Sequence, residues 1–174
     1  ERLRNQLRAA SDIDFPAVTR AATEVDGLKL RLRVDLVAAA LIDDLPSVYG
    51  DAAAIVRSAL ADPEFSGWTI WPVGEAMTVL ALASEIGTDC EDGLAMMADL
   101  TPRLSSEFAI RPFLGRDLDR SLAVIGTWPE HDDPHVRRLA SEGTRSYLPW
   151  ATRVPELLVR PECTVPILDA LYRD

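Results

Sequence analysis

Two stretches in the second half of the chain, SEFAIRPFL at residues 106–114 and SEGTRSYLP at residues 141–149, form a weak internal repeat that predicts the fold. Ser106–Glu107 recurs as Ser141–Glu142 35 residues later, and Leu122 recurs as Leu157 at the same offset. Repeats of roughly 40 residues typically hold one pair of helices, and such pairs stack because neither can bury its apolar face alone. The spacing therefore favours a helical solenoid. Chance matches within an ordinary helical bundle are the alternative.

The rest of the chain also reads as successive helices, without the alternation of apolar and polar residues that is typical of strands. Apolar residues between 28 and 45 follow mixed three- and four-residue spacing, which predicts a long and mostly buried helix that Pro46 ends. Asp133 and Pro134 predict the N-cap and first position of a helix that continues toward Gly143. Further helices are expected at 2–10, 14–25, 51–61, 72–86 and 89–104.

Composition and charge restrict the class of protein. With 174 residues, of which 48% are hydrophobic, the chain is long enough for a single domain over residues 1–174 with a sizeable core. A net charge of -10 argues against a protein that binds nucleic acid over its whole surface. Residues 103–160 nevertheless carry 9 arginines against 8 acids, so a locally basic face is compatible with the acidic total.

Cysteine, histidine and hydropathy patterns indicate a soluble protein of a reducing compartment. Cys90 and Cys163 form no Cys-x-x-Cys pair, which favours the cytoplasm. No apolar run approaches the roughly 18 residues of a membrane span, and no signal peptide opens the chain, although a start at Glu1 in place of Met suggests trimmed ends. His131 and His135 have no cysteine near them, so we expect no metal site.

Three motifs, LTPRLSSEFAIRPFL at 100–114, PHVRRLASEGTR at 134–145 and LPW at 148–150, resemble the AlkC branch of the AlkC/AlkD family of HEAT-like DNA glycosylases. The looser helical pattern before them is similar as well, so the resemblance covers nearly the whole chain. It implies an all-α HEAT-like solenoid of stacked antiparallel helix pairs with a concave DNA-binding groove. It also implies a DNA repair enzyme that excises N3-alkylated bases, chiefly of the 3-methyladenine type, from double-stranded DNA. We expect a monomer that needs neither a metal nor a cofactor.

The resemblance also assigns roles to individual residues. It implies that Glu107, Glu142 and Trp150 are catalytic, and it associates Phe108, Arg138 and Arg145 with DNA. Arg111 and Arg137 are further candidates for DNA contact. The chemistry fits, because a carboxylate about 4 Å from a developing cation is worth on the order of 4 kcal/mol at an effective dielectric constant of 20. An aromatic face contributes about 1–2 kcal/mol toward a desolvated cation.

Each assignment has a structural alternative. Glu107 with Arg111, and Arg138 with Glu142, are i,i+4 pairs that could simply stabilise helices, and Trp150 could belong to the core. The whole chain could also be a non-catalytic HEAT-repeat module that binds DNA structure or a protein partner. Members of the family extend further at the C-terminus, so we expect this chain to lack a repeat that would begin near residue 171.

Overall fold

Helices and short 3₁₀ turns account for all regular secondary structure in the computed structural model, which describes residues 1–174 and contains no strand. This confirms the all-α prediction. The helices fall into two compact units, Glu1–Asp89 and Cys90–Asp174. That residues 1–174 form a single domain stays a prediction. The α-helices are α1 Arg2–Ala9, α2 Pro16–Glu24, α3 Leu30–Asp44, α4 Tyr49–Ala59, α5 Ile70–Ala83, α6 Asp89–Leu100, α7 Arg111–Arg116, α8 Leu118–Ile125, α9 Pro134–Gly143, α10 Glu156–Val159 and α11 Val165–Leu171.

In the first unit, α5 is the central helix and packs against both α3 and α4. Val73, Ala76 and Met77 of α5 are buried between these neighbours. Helix α3 continues the layer to α2, and α4 continues it to α1. Apolar side chains on every side of α5 are what its sequence predicts, since it carries no lysine, no arginine and one acid, Glu75.

Two expectations for the first unit are wrong in detail. The first turn of α3 is not buried, because Leu30 and Leu32 are 50% and 52% exposed. Helix α2 begins at Pro16 and not at residue 14 as expected, and the carboxylate of Asp44 accepts hydrogen bonds from the backbone N–H groups of Ala17 and Val18 at 3.0 and 2.9 Å. A side chain distant in sequence therefore satisfies the free donors of this helix end.

In the second unit, the predicted start of α9 is confirmed. Asp133 is the N-cap and accepts a hydrogen bond from the backbone N–H of His135, and Pro134 opens the helix. Val136 and Leu139 are buried, while the opposite side of α9 carries polar side chains. Helix α6 ends at Leu100, earlier than expected, and residues 101–110 form successive turns that lead into α7. Helix α9 contacts α11.

No helix combines the length and the apolar character that crossing a membrane would require.

Candidate catalytic site of paired carboxylates

Glu107 lies in the turns before α7 and is held by partners on two segments. Its Oε2 atom accepts a hydrogen bond from Ser105 Oγ at 3.2 Å and lies 3.6 Å from Nη2 of Arg138 on α9. Arg138 also reaches Ser105 Oγ from Nη1 at 3.4 Å. The carboxylate of Glu107 keeps 20% of its side-chain surface exposed. It is therefore ordered and still open to solvent.

Glu142 lies one turn after Arg138 on α9 and has a different partner. Its Oε2 atom lies 3.1 Å from Nη1 of Arg145, in the loop that follows the helix. The side chain of Glu142 is 26% exposed and that of Arg145 is 56% exposed. The i,i+4 pair between Arg138 and Glu142, expected as the structural alternative, is thus absent, since each of the two charges pairs elsewhere.

The end of α9 lies close to the turns that carry Glu107. A Cβ atom at Gly143 would come within 2.1 Å of Cδ1 of Ile110, which is fully buried. Gly143 was expected only to end the helix, yet it is the last helical residue and allows this close approach of backbone to side chain. Because Glu142 precedes Gly143 and Glu107 is near Ile110, the two acids lie on segments in direct contact.

Trp150 does not belong to the core. Its side chain is 91% exposed, and its backbone φ of 65° lies in the left-handed region, where residues other than glycine are uncommon. The structural alternative for this residue is therefore wrong. A large aromatic that is both exposed and conformationally strained is typical of a binding or catalytic position.

Arg111 is buried and cannot contact DNA as expected. Only 1% of its surface is exposed, and its guanidinium donates to three backbone carbonyls, those of Gly143, Arg145 and Thr152. Burial lowers the pKa of Arg111, because desolvation disfavours the charged form. The alternative pair with Glu107 is also wrong, since Glu107 precedes α7 and its carboxylate binds Ser105 and Arg138 instead.

Arg137 is occupied by local partners. Its guanidinium donates to the carboxylate of Asp174 at 2.8 Å and to the carbonyls of His131 and Asp132, so it stabilises the start of α9. A contact with DNA would require it to leave these acceptors. Phe108 is half-buried in the turns next to Glu107.

Sequence reasoning missed two residues of the loop after α9. Tyr147 is 62% exposed, and the guanidinium of Arg153 lies 5.8 Å from the centre of its ring. With Arg145 and Trp150, the loop therefore presents two aromatic rings and two arginines to solvent. Two aromatic residues flanked by arginines between positions 145 and 153 were the available signal.

No group of three or more His, Cys, Asp or Glu side chains is arranged to hold a metal ion.

Comparisons with known proteins identify the family. No family model matches the chain. The Bacillus subtilis (strain 168) protein described as uncharacterized protein YhaZ is 35% identical over 147 residues, which cover 84% of this chain and 39% of that protein. The structure of Pseudomonas fluorescens alkylpurine DNA glycosylase AlkC, bound to DNA containing an abasic site analog, matches with a TM-score of 0.86 and 29% identity. This match covers 99% of the chain and 47% of the AlkC chain. The chain thus spans less than half the length of either relative. It has the HEAT-like repeat fold expected from its sequence and belongs to the AlkC-type branch of the AlkC/AlkD family.

Proposed function

We propose that this chain acts in DNA repair as a glycosylase that excises cationic N3-alkylated bases, of the 3-methyladenine type, from double-stranded DNA. One observation carries the proposal: two partly exposed carboxylates, Glu107 and Glu142, lie on contacting segments, and the loop after Glu142 exposes Trp150. The likeness to an AlkC structure solved with DNA that contains an abasic site analog supports the choice of substrate.

The charge of the lesion explains why carboxylates suffice. An N3-alkylated adenine leaves as a neutral base, so its glycosidic bond breaks without a strong proton donor. The sugar that remains acquires positive charge in the transition state. A carboxylate about 4 Å from that charge contributes on the order of 4 kcal/mol at an effective dielectric constant of 20, or about a thousandfold in rate. One acid can stabilise the sugar while the other holds the attacking water.

The arginines connect DNA binding to the acids. Arg138 and Arg145 are about half exposed, and each forms an ion pair with one of the two carboxylates. In our proposal they turn to the phosphates beside the lesion, as bidentate donors do. An arginine that turns to a phosphate leaves its carboxylate facing the sugar. Trp150 then offers its exposed face to the cationic base or sugar, worth about 1–2 kcal/mol when desolvated.

A non-catalytic HEAT-repeat module is the competing proposal. It is favoured by the ion pair that each acid forms with an arginine, because acids that only stabilise the fold would form such pairs as well. The net charge of -10 also favours a protein partner over DNA. Under this reading the same surface binds DNA structure or another protein and releases no base.

Release of free methylated base from dimethyl-sulfate-treated duplex DNA distinguishes the two. We expect 3-methyladenine to be released in the presence of a chelator, because no step in the proposed mechanism uses a metal. Neutral adducts should stay in the DNA, since their departure needs a proton donor, whereas His131 precedes α9 and His135 lies two turns before Glu142 on that helix. The double variant Glu107→Gln/Glu142→Gln is the matched control. Binding of duplex without any release would favour the non-catalytic module.

A further inference from the structure

The loop from Thr144 to Thr152 carries Trp150, and one buried side chain holds it at both ends. Nη1 of Arg111 donates to the carbonyl of Gly143 at 3.0 Å and to that of Arg145 at 2.6 Å. Nε of the same guanidinium donates to the carbonyl of Thr152 at 3.0 Å. The first acceptor directly follows Glu142, the second lies three residues after it, and the third lies two residues after Trp150. The guanidinium of Arg111 therefore holds the backbone at both ends of the loop.

Other contacts anchor only the first residue and the middle of the loop: the Thr144 hydroxyl donates to the Ala140 carbonyl at 2.6 Å, and Leu148 is buried. The loop's own backbone hydrogen bonds are long, at 3.5 Å from the Arg145 N–H to the Glu142 carbonyl and 3.3 Å from the Ala151 N–H to the Leu148 carbonyl. The Ser146 hydroxyl reaches the Leu157 carbonyl at 3.4 Å. Trp150 has the left-handed backbone conformation and buries almost none of its side chain, so its own packing cannot hold it in place.

Burying the Arg111 guanidinium costs desolvation free energy. All three acceptors of Arg111 are carbonyl oxygens, so the buried charge has dipoles and no carboxylate to compensate it. An apolar side chain in a structural position would avoid this cost. The planar fork of arginine, in contrast, can bind acceptors on separate segments at fixed angles, which a lysine ammonium cannot do.

We propose that Arg111 is a positioning residue, which sets the place of the Glu142 carboxylate and of the Trp150 ring by holding the loop between them. This inference rests on the proposed function, since it concerns the geometry of that site. Arg111 touches neither the base nor the sugar; it acts through the backbone of residues 143–152.

Two readouts test the inference on the full chain, with Arg111→Lys and Arg111→Met as variants. Arg116→Met, on the exposed end of the same helix, is the matched control. The first readout is the rate of trypsin cleavage after Arg145 and Arg153, followed by mass spectrometry of the fragments. We expect about tenfold faster cleavage there in both Arg111 variants, because loss of the hydrogen bonds opens the loop locally. The control variant should match the unaltered chain at both sites.

The second readout is single-turnover excision of 3-methyladenine with enzyme in excess. Misplacement of about 1 Å can cost roughly 100-fold, so the rate constant should fall by that order in Arg111→Met and less in Arg111→Lys. Affinity for duplex should change little, because the arginines that face solvent remain. A residue that served stability alone would lower the amplitude, which counts folded molecules, and leave the rate constant unchanged.

The cleavage rates and the rate constants of the Arg111 variants together decide whether Arg111 is a positioning residue. Wild-type cleavage and wild-type rate constants in folded Arg111 variants would overturn the inference, as would a loosened loop with an unchanged rate constant. If Arg111→Met does not fold, Arg111→Lys, which keeps the charge and most of the volume, gives the answer. If the unaltered chain releases no base, the proposed function fails, and trypsin cleavage alone still decides whether Arg111 holds the loop.

Discussion

The guanidinium of Arg138, on α9, lies 3.6 Å from the carboxylate of Glu107, in the turns before α7. This ion pair joins the two motifs that carry the candidate catalytic acids. It also leaves Glu142, one turn further along α9, to pair with Arg145 in the loop that follows. Each acid thus has one partly exposed arginine beside it.

Replacing either acid by its amide should separate catalysis from binding. Glu107→Gln and Glu142→Gln keep size and most hydrogen bonds but remove the charge, so excision of 3-methyladenine should fall roughly 10²–10³-fold, or about 2.7–4 kcal/mol. Affinity for duplex should stay equal or rise, because repulsion from phosphates is relieved. Single-turnover kinetics and fluorescence anisotropy measure the two quantities. Glu130→Gln, an exposed acid elsewhere in the second unit, is the control; full excision rates in both site variants would exclude the two-carboxylate mechanism.

The salt dependence of duplex binding should change in Arg145→Ala and not in Arg137→Ala. If Arg145 binds a phosphate, Arg145→Ala should weaken duplex binding and reduce the slope of log K against log salt by about one unit. Arg137→Ala should leave the slope unchanged, because Arg137 is held by Asp174 and two carbonyls. Anisotropy titrations over a range of salt concentrations measure both slopes. Equal slopes for both variants and the unaltered chain would show that Arg145 contacts no phosphate.

Trp150 should contribute to activity at the expense of stability. Its left-handed backbone conformation costs about 1 kcal/mol for a residue other than glycine, and asparagine tolerates this region better. Trp150→Asn should therefore unfold at an equal or slightly higher denaturant concentration while excision is lost. Trp150→Phe should retain part of the activity, since it keeps an aromatic face. A large loss of stability in Trp150→Asn would show that the side chain packs against the protein.

A side chain at position 143 should destabilise the protein unless Ile110 is shortened. Gly143→Ala places a Cβ atom against Cδ1 of Ile110, and overpacking of this kind costs about 1–3 kcal/mol. Ile110→Val removes that atom and leaves Cγ1, at 3.0 Å, as the nearest contact, so the double variant should be more stable than the sum of the single effects predicts, by about 1 kcal/mol. Urea denaturation of the four proteins in the cycle measures this coupling. Strict additivity would mean that the two residues do not meet.

Glu91 should make stability depend on acid pH. Its hydrogen bonds with Arg120, which connect α6 to α8, hold the pKa of the Glu91 carboxyl below its usual value of 4.5. A carboxyl whose pKa is lower in the folded state stabilises the protein above the unfolded-state pKa, and this contribution is lost as pH falls through the folded-state pKa. The melting temperature of Glu91→Gln should thus lie below that of the unaltered chain at pH 7, and the difference should shrink below pH 4.5 and vanish once the pH lies below the folded-state pKa. A difference that persists in acid would point to packing.

The sequence by itself determined that the chain is all-helical, where α9 and most helices of the first unit lie, and which residues are candidates for chemistry. Proline and aspartate at 133–134 set the start of α9 because they act on backbone groups of the next few residues. The spacing of Val136 and Leu139 identified the buried face for the same local reason. The acids and Trp150 were found through motifs, and their catalytic roles stay predictions.

Only the tertiary structure decided which partner each side chain meets. Helical spacing allowed Arg138 to pair with Glu142, but a carboxylate from another segment, Glu107, lies within its reach. Apolar spacing also predicted that α3 is mostly buried, but spacing cannot show whether a neighbouring helix covers a given side chain. Leu30 is half exposed. Arg111 was expected at the surface because its charge favours water; it is buried because carbonyls from Gly143 to Thr152, brought together by folding, replace that water.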